Sequence, residues 1–126
     1  MTNEQLRDFG RRYTAAWCSR QPALVAEFFE TDGSLTINDG APSAGRAAIT
    51  QAAAGFMTDF PDLVVCMDDV STVGAGAIYR WTLTGTHAGR RVRISGFEEW
   101  TFGAAGLVAR SLGHFDADDY ERQLTA

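Results

Sequence analysis

The sequence predicts an α+β fold, with helices gathered toward the front of the chain and strands toward the back. Two observations carry this. Before residue 60, apolar residues recur at helical spacing: Leu6, Phe9, Tyr13 and Trp17 form one stripe, and Ile49, Ala53, Phe56 and Met57 form another. After residue 63 the spacing changes to two, and glycine-rich turns cut the chain into four segments. A third observation concerns size. At 126 residues and 45% hydrophobic content, the chain supports one domain over 1–126 with a single core.

Residues 4–18 read as the first helix, with Asn3 as its N-cap. Pro22 suits the first turn of a second, short helix over 22–29, which Thr31-Asp32-Gly33 would end. Leu35, Ile37 and Asp39 alternate with Thr36 and Asn38, a short strand over 34–39, and 40–45 reads as a loop. The third helix covers 46–59 and stops at Phe60-Pro61-Asp62. Strands follow over 63–73, 76–87, 90–102 and 107–115, joined by Gly74-Ala75-Gly76, Ala88-Gly89 and Gly103-Ala104-Ala105-Gly106. Residues 116–124 form a short helix or an ordered tail. The order is α-α-β-α-β-β-β-β, which predicts helices packed on an antiparallel meander.

One residue breaks the alternation. Val92, Ile94, Gly96, Trp100 and Phe102 share a face of the 90–102 strand, and Glu98 falls among them. An ionised carboxylate is costly in apolar surroundings, so it must be paired, neutral or bordering a wet cavity. The bland alternative is an ion pair with an arginine across the sheet. Eight Phe, three Trp and three Tyr exceed the needs of a minimal core and suit a cavity wall.

Composition removes several functions. A net charge of -5 disfavours a general nucleic-acid surface. All eleven basic residues are arginine, so no Schiff-base lysine exists. Cys18 and Cys66 match no metal spacing, and two histidines on separate strands without clustered acids predict no metal site. Residues 1–5 lack the features of a signal peptide, and no apolar run reaches membrane-spanning length. The expectation is a cytoplasmic protein that binds neither membrane nor nucleic acid and needs no cofactor.

The chain resembles the cone-shaped α+β superfamily that includes nuclear transport factor 2, ketosteroid isomerase, scytalone dehydratase and the SnoaL-like polyketide cyclases. The resemblance rests on Tyr13…Trp17, Phe28-Phe29 before Thr31-Asp32-Gly33, Gly45-Arg46-Ala47-Ala48-Ile49, Phe60-Pro61-Asp62, Gly85-Thr86-His87, Gly96…Trp100-Thr101-Phe102 and Phe115-Asp116…Arg122-Gln123-Leu124. It implies three N-terminal helices in the concave face of a strongly curved antiparallel sheet and a deep apolar pocket. It also implies a homodimer formed through the outer sheet face, where Leu112 and His114 fall. Trp17, Phe56, Trp81, Leu83, Trp100 and Phe115 are then the ligand-binding candidates on the pocket wall.

Resemblance to ketosteroid isomerase implies a tyrosine and a protonated acid as oxyanion donors, with an aspartate base on the first strand. Alignment through Asp32-Gly33 brings Tyr13 to the tyrosine position, and alignment through the Gly106 turn brings Glu98 to the acid position. Ile37 falls at the base position. Asp39 stands two residues on, a displacement of roughly 6–7 Å along a strand, and His87 is a second proton-transfer candidate at the rim. Gly113 occupies the strand position at which the cyclases would carry their acid–base aspartate. The implied function is a small-molecule-pocket protein, an isomerase- or cyclase-type enzyme acting on an apolar carbonyl compound by acid–base chemistry. The alternative is a non-catalytic binding or dimerisation module.

Overall fold

The computed structural model describes residues 1–125. Four helices and six strands follow in the order α1 (Asn3–Cys18), α2 (Pro22–Ala26), β1 (Phe29–Ile37), β2 (Ser43–Ala44), α3 (Arg46–Asp59), β3 (Val64–Val73), β4 (Gly76–His87), β5 (Arg90–Phe102), β6 (Val108–Phe115) and α4 (Ala117–Thr125). The strands form one sheet in the order β2-β1-β6-β5-β4-β3.

Helix α1 opens on a capping box built one residue earlier than expected. Thr2, not Asn3, accepts the Gln5 N–H at 3.0 Å, and the Gln5 side chain accepts the Thr2 N–H at 2.8 Å. The Thr-x-x-Gln spacing lets both groups satisfy each other, which an Asn3 cap would not. The apolar stripe then buries Leu6, Phe9, Tyr13 and Trp17. Phe9 and Tyr13 meet the Trp100 indole edge-on, at centroid separations of 5.4 and 5.2 Å.

Helix α2 ends at Ala26 and β1 begins at Phe29, so Thr31-Asp32-Gly33 lies inside a strand rather than closing a helix. Tertiary pairing overrides the local turn signal. Phe29 pairs with Val108, and the Arg46 guanidinium donates to the Phe29 carbonyl at 3.0 and 2.8 Å. The register then shifts between Phe29 and Ser34, the mark of a bulge that bends the strand. A side chain at Gly33 would come within 2.9 Å of the Val108 carbonyl oxygen, so glycine permits this approach. The expected loop over 40–45 contains the two-residue strand β2, paired with β1.

The sheet is also not wholly antiparallel. β3, β4, β5 and β6 form the expected meander, but β1 pairs with β6 in parallel. Only directly linked hairpin strands must run antiparallel; β1 and β6 are joined through the rest of the fold and are free of that constraint. Further register shifts at Met67/Asp69 and Thr101/Phe102 add to the bending of the sheet around the helices. Gly96 marks a close approach, since a Cβ there would lie 2.3 Å from the His114 carbonyl oxygen and 2.6 Å from Trp81 Cζ2.

Helix α3 covers one end of the concave face. Ile49 and Ala53 are fully buried, whereas Phe56 and Met57 are only partly so. A fourth helix, α4, follows β6 and has no buried residue. No helix among the described residues is long and apolar enough to cross a membrane.

Candidate functional site

A cavity of about 60 Å³ remains between the helices and the inner sheet face. Aromatic rings dominate its wall: Trp17 from α1, Phe56 from α3, Tyr79 and Trp81 from β4, Phe115 from β6 and Tyr120 from α4. Leu35, Ile37 and Leu83 add aliphatic surface. The period-2 rule explains the contribution of the strands, because Tyr79, Trp81 and Leu83 point to one face of β4.

Glu98 is the carboxylate on this wall, and it is 6% exposed. Its neighbours converge on one oxygen. Oε1 accepts from the Ser111 hydroxyl at 2.7 Å, from the Trp100 indole N–H at 3.0 Å and from the Tyr13 hydroxyl at 3.0 Å. Oε2 lies 3.1 Å from the same Tyr13 hydroxyl. The β5–β6 register sets this up by pairing Trp100 with Ser111 and Glu98 with Gly113. No salt bridge to Glu98 occurs among the described residues.

Burial therefore governs the titration of Glu98 and raises its pKa above the ordinary carboxylate value. The hydrogen bonds from Ser111, Trp100 and Tyr13 oppose that rise without cancelling it. Burial likewise pushes the Tyr13 phenol well above its usual value, and the neighbouring Glu98 adds to the shift. Tyr79 is raised by burial as well, while its hydrogen bond with Thr14 acts the other way. Burial thus works against charge on all three groups. Were Glu98 neutral, with these donors on Oε1, its proton would sit on Oε2.

The structure brings some of the expected site residues together and leaves others apart. Tyr13 and Glu98 are in direct contact, although Tyr13 packs behind Glu98 and does not line the cavity. Trp17, Phe56, Trp81, Leu83 and Phe115 stand on the wall. Trp100 does not: it lies one layer deeper, stacked on Tyr79 at 4.8 Å with its N–H on Glu98. Asp39 is exposed, because Asn38 adopts a left-handed conformation (φ 51) just after Ile37 and turns the chain away. His87 sits at the end of β4, its Nδ1 2.9 Å from the Asp59 carbonyl oxygen, and does not line the cavity. Neither Asp39 nor His87 borders the space that Glu98 faces.

Ser111, Tyr79 and Tyr120 were not singled out by the sequence. Ser111 carried a readable signal, since it is the hydroxyl on the face of β6 shared with Gly113 and Phe115. The others required the sheet register and the docking of α4. Among the described residues, no group of three or more His, Cys, Asp or Glu side chains is arranged to hold a metal ion.

Helices inside a bent sheet, enclosing an aromatic pocket with one buried acid, define the ketosteroid isomerase-like or nuclear transport factor 2-like cone fold. The chain belongs to the SnoaL-like domain family, whose sequence profile matches residues 10–111. Solved structures agree on the fold. A nuclear transport factor 2-like protein of unknown function from Burkholderia pseudomallei is 20% identical, with each chain covered over 100% of its length at a TM-score of 0.84. TsrD from Streptomyces laurentii is 19% identical over 100% of this chain and 98% of its own, with a TM-score of 0.85. A hypothetical protein with a ketosteroid isomerase-like fold from Catenulispora acidiphila, in complex with trimethylamine, is 15% identical over 92% and 91% at a TM-score of 0.83. No curated protein matches the sequence.

Proposed function

We propose that the chain, as one SnoaL-like domain over 1–126, binds a compact apolar carbonyl compound in its cavity. Neutral Glu98 donates the hydrogen bond to the ligand's carbonyl oxygen. The observation that carries this reading is a buried acid, saturated on Oε1, set in an otherwise aromatic and aliphatic wall. Tyr13 acts as a positioning residue behind Glu98. A cavity of about 60 Å³ has room for about two waters at roughly 30 Å³ each, so only a small part of the ligand is enclosed.

Hydrogen-bond donation to a carbonyl oxygen also favours its enol, so acid-assisted enolisation is the enzymatic extension of the same site. Isomerisation further needs a base at the carbon. Ile37 lines the wall where the resemblance expects that base, so binding is the better supported core of the proposal. The test uses cyclopentanone in deuterated buffer, followed by NMR. Binding should weaken as pH rises through the Glu98 pKa in the wild type and be independent of pH in Glu98→Gln. Deuterium entry at the α-carbon that disappears in Glu98→Gln marks an enzyme, whereas binding without exchange marks a binding module. Wild-type affinity that ignores pH would sink the role of Glu98.

A second reading is favoured by the same wall. Six aromatic residues and one carboxylate suit a small alkylammonium ion, and the Catenulispora acidiphila protein of this fold holds trimethylamine. Trimethylammonium requires ionised Glu98, so its affinity would fall with falling pH, the opposite sign to the ketone. We also propose a homodimer through the outer sheet face, where Arg80, Phe97 and His114 stack in a row. Sedimentation of Phe97→Arg checks this: a wild-type dimer should become a monomer, and a wild-type monomer rejects it.

A further inference from the structure

Helix α4 is attached to the rest of the molecule in an unusual way. β6 ends at Phe115, which pairs with Gly96, so the first part of β5 extends past its neighbour with a free edge. At Arg93 that edge is filled by a side chain instead of a strand. Gln123 Oε1 accepts the Arg93 N–H at 2.8 Å, and Gln123 Nε2 donates to the Arg93 carbonyl oxygen at 2.9 Å. A primary amide carries one acceptor and two donor hydrogens, so it reproduces the pairing of a peptide group. Both bonds are exposed to water.

The rest of the attachment is slight. α4 has no buried residue, and its aromatic anchor is Tyr120, packed on Phe115 at 5.2 Å and Phe60 at 6.3 Å. Tyr120 is also part of the cavity wall. Its hinge end is defined too: the Asp116 carboxylate caps the helix by accepting the Asp119 N–H at 3.0 Å. One element therefore closes part of the cavity while being held by a side-chain clasp and two partly buried apolar side chains, Tyr120 and Leu124. Elements with few buried contacts and solvent-exposed hydrogen bonds open at low free energy.

We propose that α4 is a lid on the ligand pocket, hinged at Phe115–Asp116 and latched by the Gln123 amide on Arg93, with Tyr120 as the residue that closes the cavity. Opening moves the Tyr120 ring off the wall and exposes the Arg93 N–H in the same event. The lid rests on the pocket reading above for its purpose, but its motion is measurable without any ligand.

The experiment has two readouts. Hydrogen exchange of the Arg93 amide, measured by NMR on the free protein, should occur by local opening, faster than that of amides in the centre of β4. Gln123→Ala should accelerate Arg93 exchange roughly tenfold, and Gln123→Glu, which keeps the acceptor and loses the donor, by less. Central β4 amides should be unaffected. Stopped-flow binding of phenol, followed by tryptophan fluorescence because Trp17 and Trp81 line the cavity, is the second readout. Gln123→Ala should raise association and dissociation rates together, by about fivefold to tenfold, and leave the dissociation constant within about twofold. The lid is overturned if Arg93 exchanges only with global unfolding or at the same rate in Gln123→Ala. It is also overturned if phenol binds with rates that ignore position 123. Absence of phenol binding to the wild type counts against the pocket reading alone, and exchange at Arg93 then decides the lid by itself.

Discussion

The two ends of β5 solve the same problem in opposite ways. From Gly96 to Thr101 the strand is flanked by β4 on one side and β6 on the other, and its inward polar group, Glu98, receives three side-chain donors. From Arg90 to Ser95 it keeps β4 but lacks β6, and at Arg93 one glutamine from α4 stands in for the missing neighbour. The first end is built from the interior, where an unpaired polar group is costly. The second is built at the surface, where water competes for every bond. A rigid acid and a movable cover thus share one strand, and their difference in burial sets their difference in stability.

The largest expected effect comes from emptying the rigid end. Glu98→Ala removes the acceptor for the Trp100 indole and opens space beside it, and should destabilise by roughly 3–5 kcal/mol in urea unfolding. A loss below about 1 kcal/mol would mean that water substitutes for the carboxyl. Ser111→Ala removes one donor and should cost about 1–2 kcal/mol. Because the Ser111 bond holds the Glu98 pKa down, that variant should shift the pH of ketone release upward. A shift in the other direction would mean that Glu98 is governed by something other than its local donors.

Glu98→Gln tests the sign of the titration. The folded-state pKa of Glu98 lies above its unfolded value, so the group's contribution is full below the ordinary carboxylate range and is lost as pH rises through the folded value. Glutamine keeps the shape and cannot ionise. Its stability should match the wild type at pH 4 and exceed it at pH 8, read as a flatter dependence of the urea midpoint on pH. The smallest effects belong outside the cavity. Asp39→Asn and His87→Ala should each change ketone affinity by less than about twofold in the NMR titration, since neither side chain lines the wall. A tenfold loss in either would bring proton transfer back to the rim and break the contrast between the two ends.

The sequence revealed much of this frame and less of its depth. Alternation along β4 and β5 is legible because each strand has one buried face, so Trp81, Leu83, Ile94 and Glu98 sort correctly from the sequence. Alternation does not report which layer a side chain occupies. Trp100 shares the inward face with Glu98, yet it lies beneath Tyr79 and off the cavity wall. The start of β1 was illegible for another reason. Pro22, Phe28-Phe29 and Asp32-Gly33 spell a helix and a turn locally, but pairing with Val108 and the arginine on the Phe29 carbonyl decide the strand. Ser111 needed the register of β5 against β6 before its hydroxyl could be assigned a partner.

The parallel contact between β1 and β6 also bears on how the protein is made. Tyr13 and Glu98 are 85 residues apart, and Phe29 waits for Val108. On a ribosome the first three helices emerge with their apolar faces uncovered, and neither the acid's last partner, Ser111, nor the β6 neighbour of β1 exists until the final strand has been synthesised. Pairings of such long range are slow to close and leave unpaired edges exposed in the meantime. Nascent chains halted before β6 should accordingly be sensitive to protease and bound by chaperones, and protection should arrive abruptly once β6 has cleared the exit tunnel.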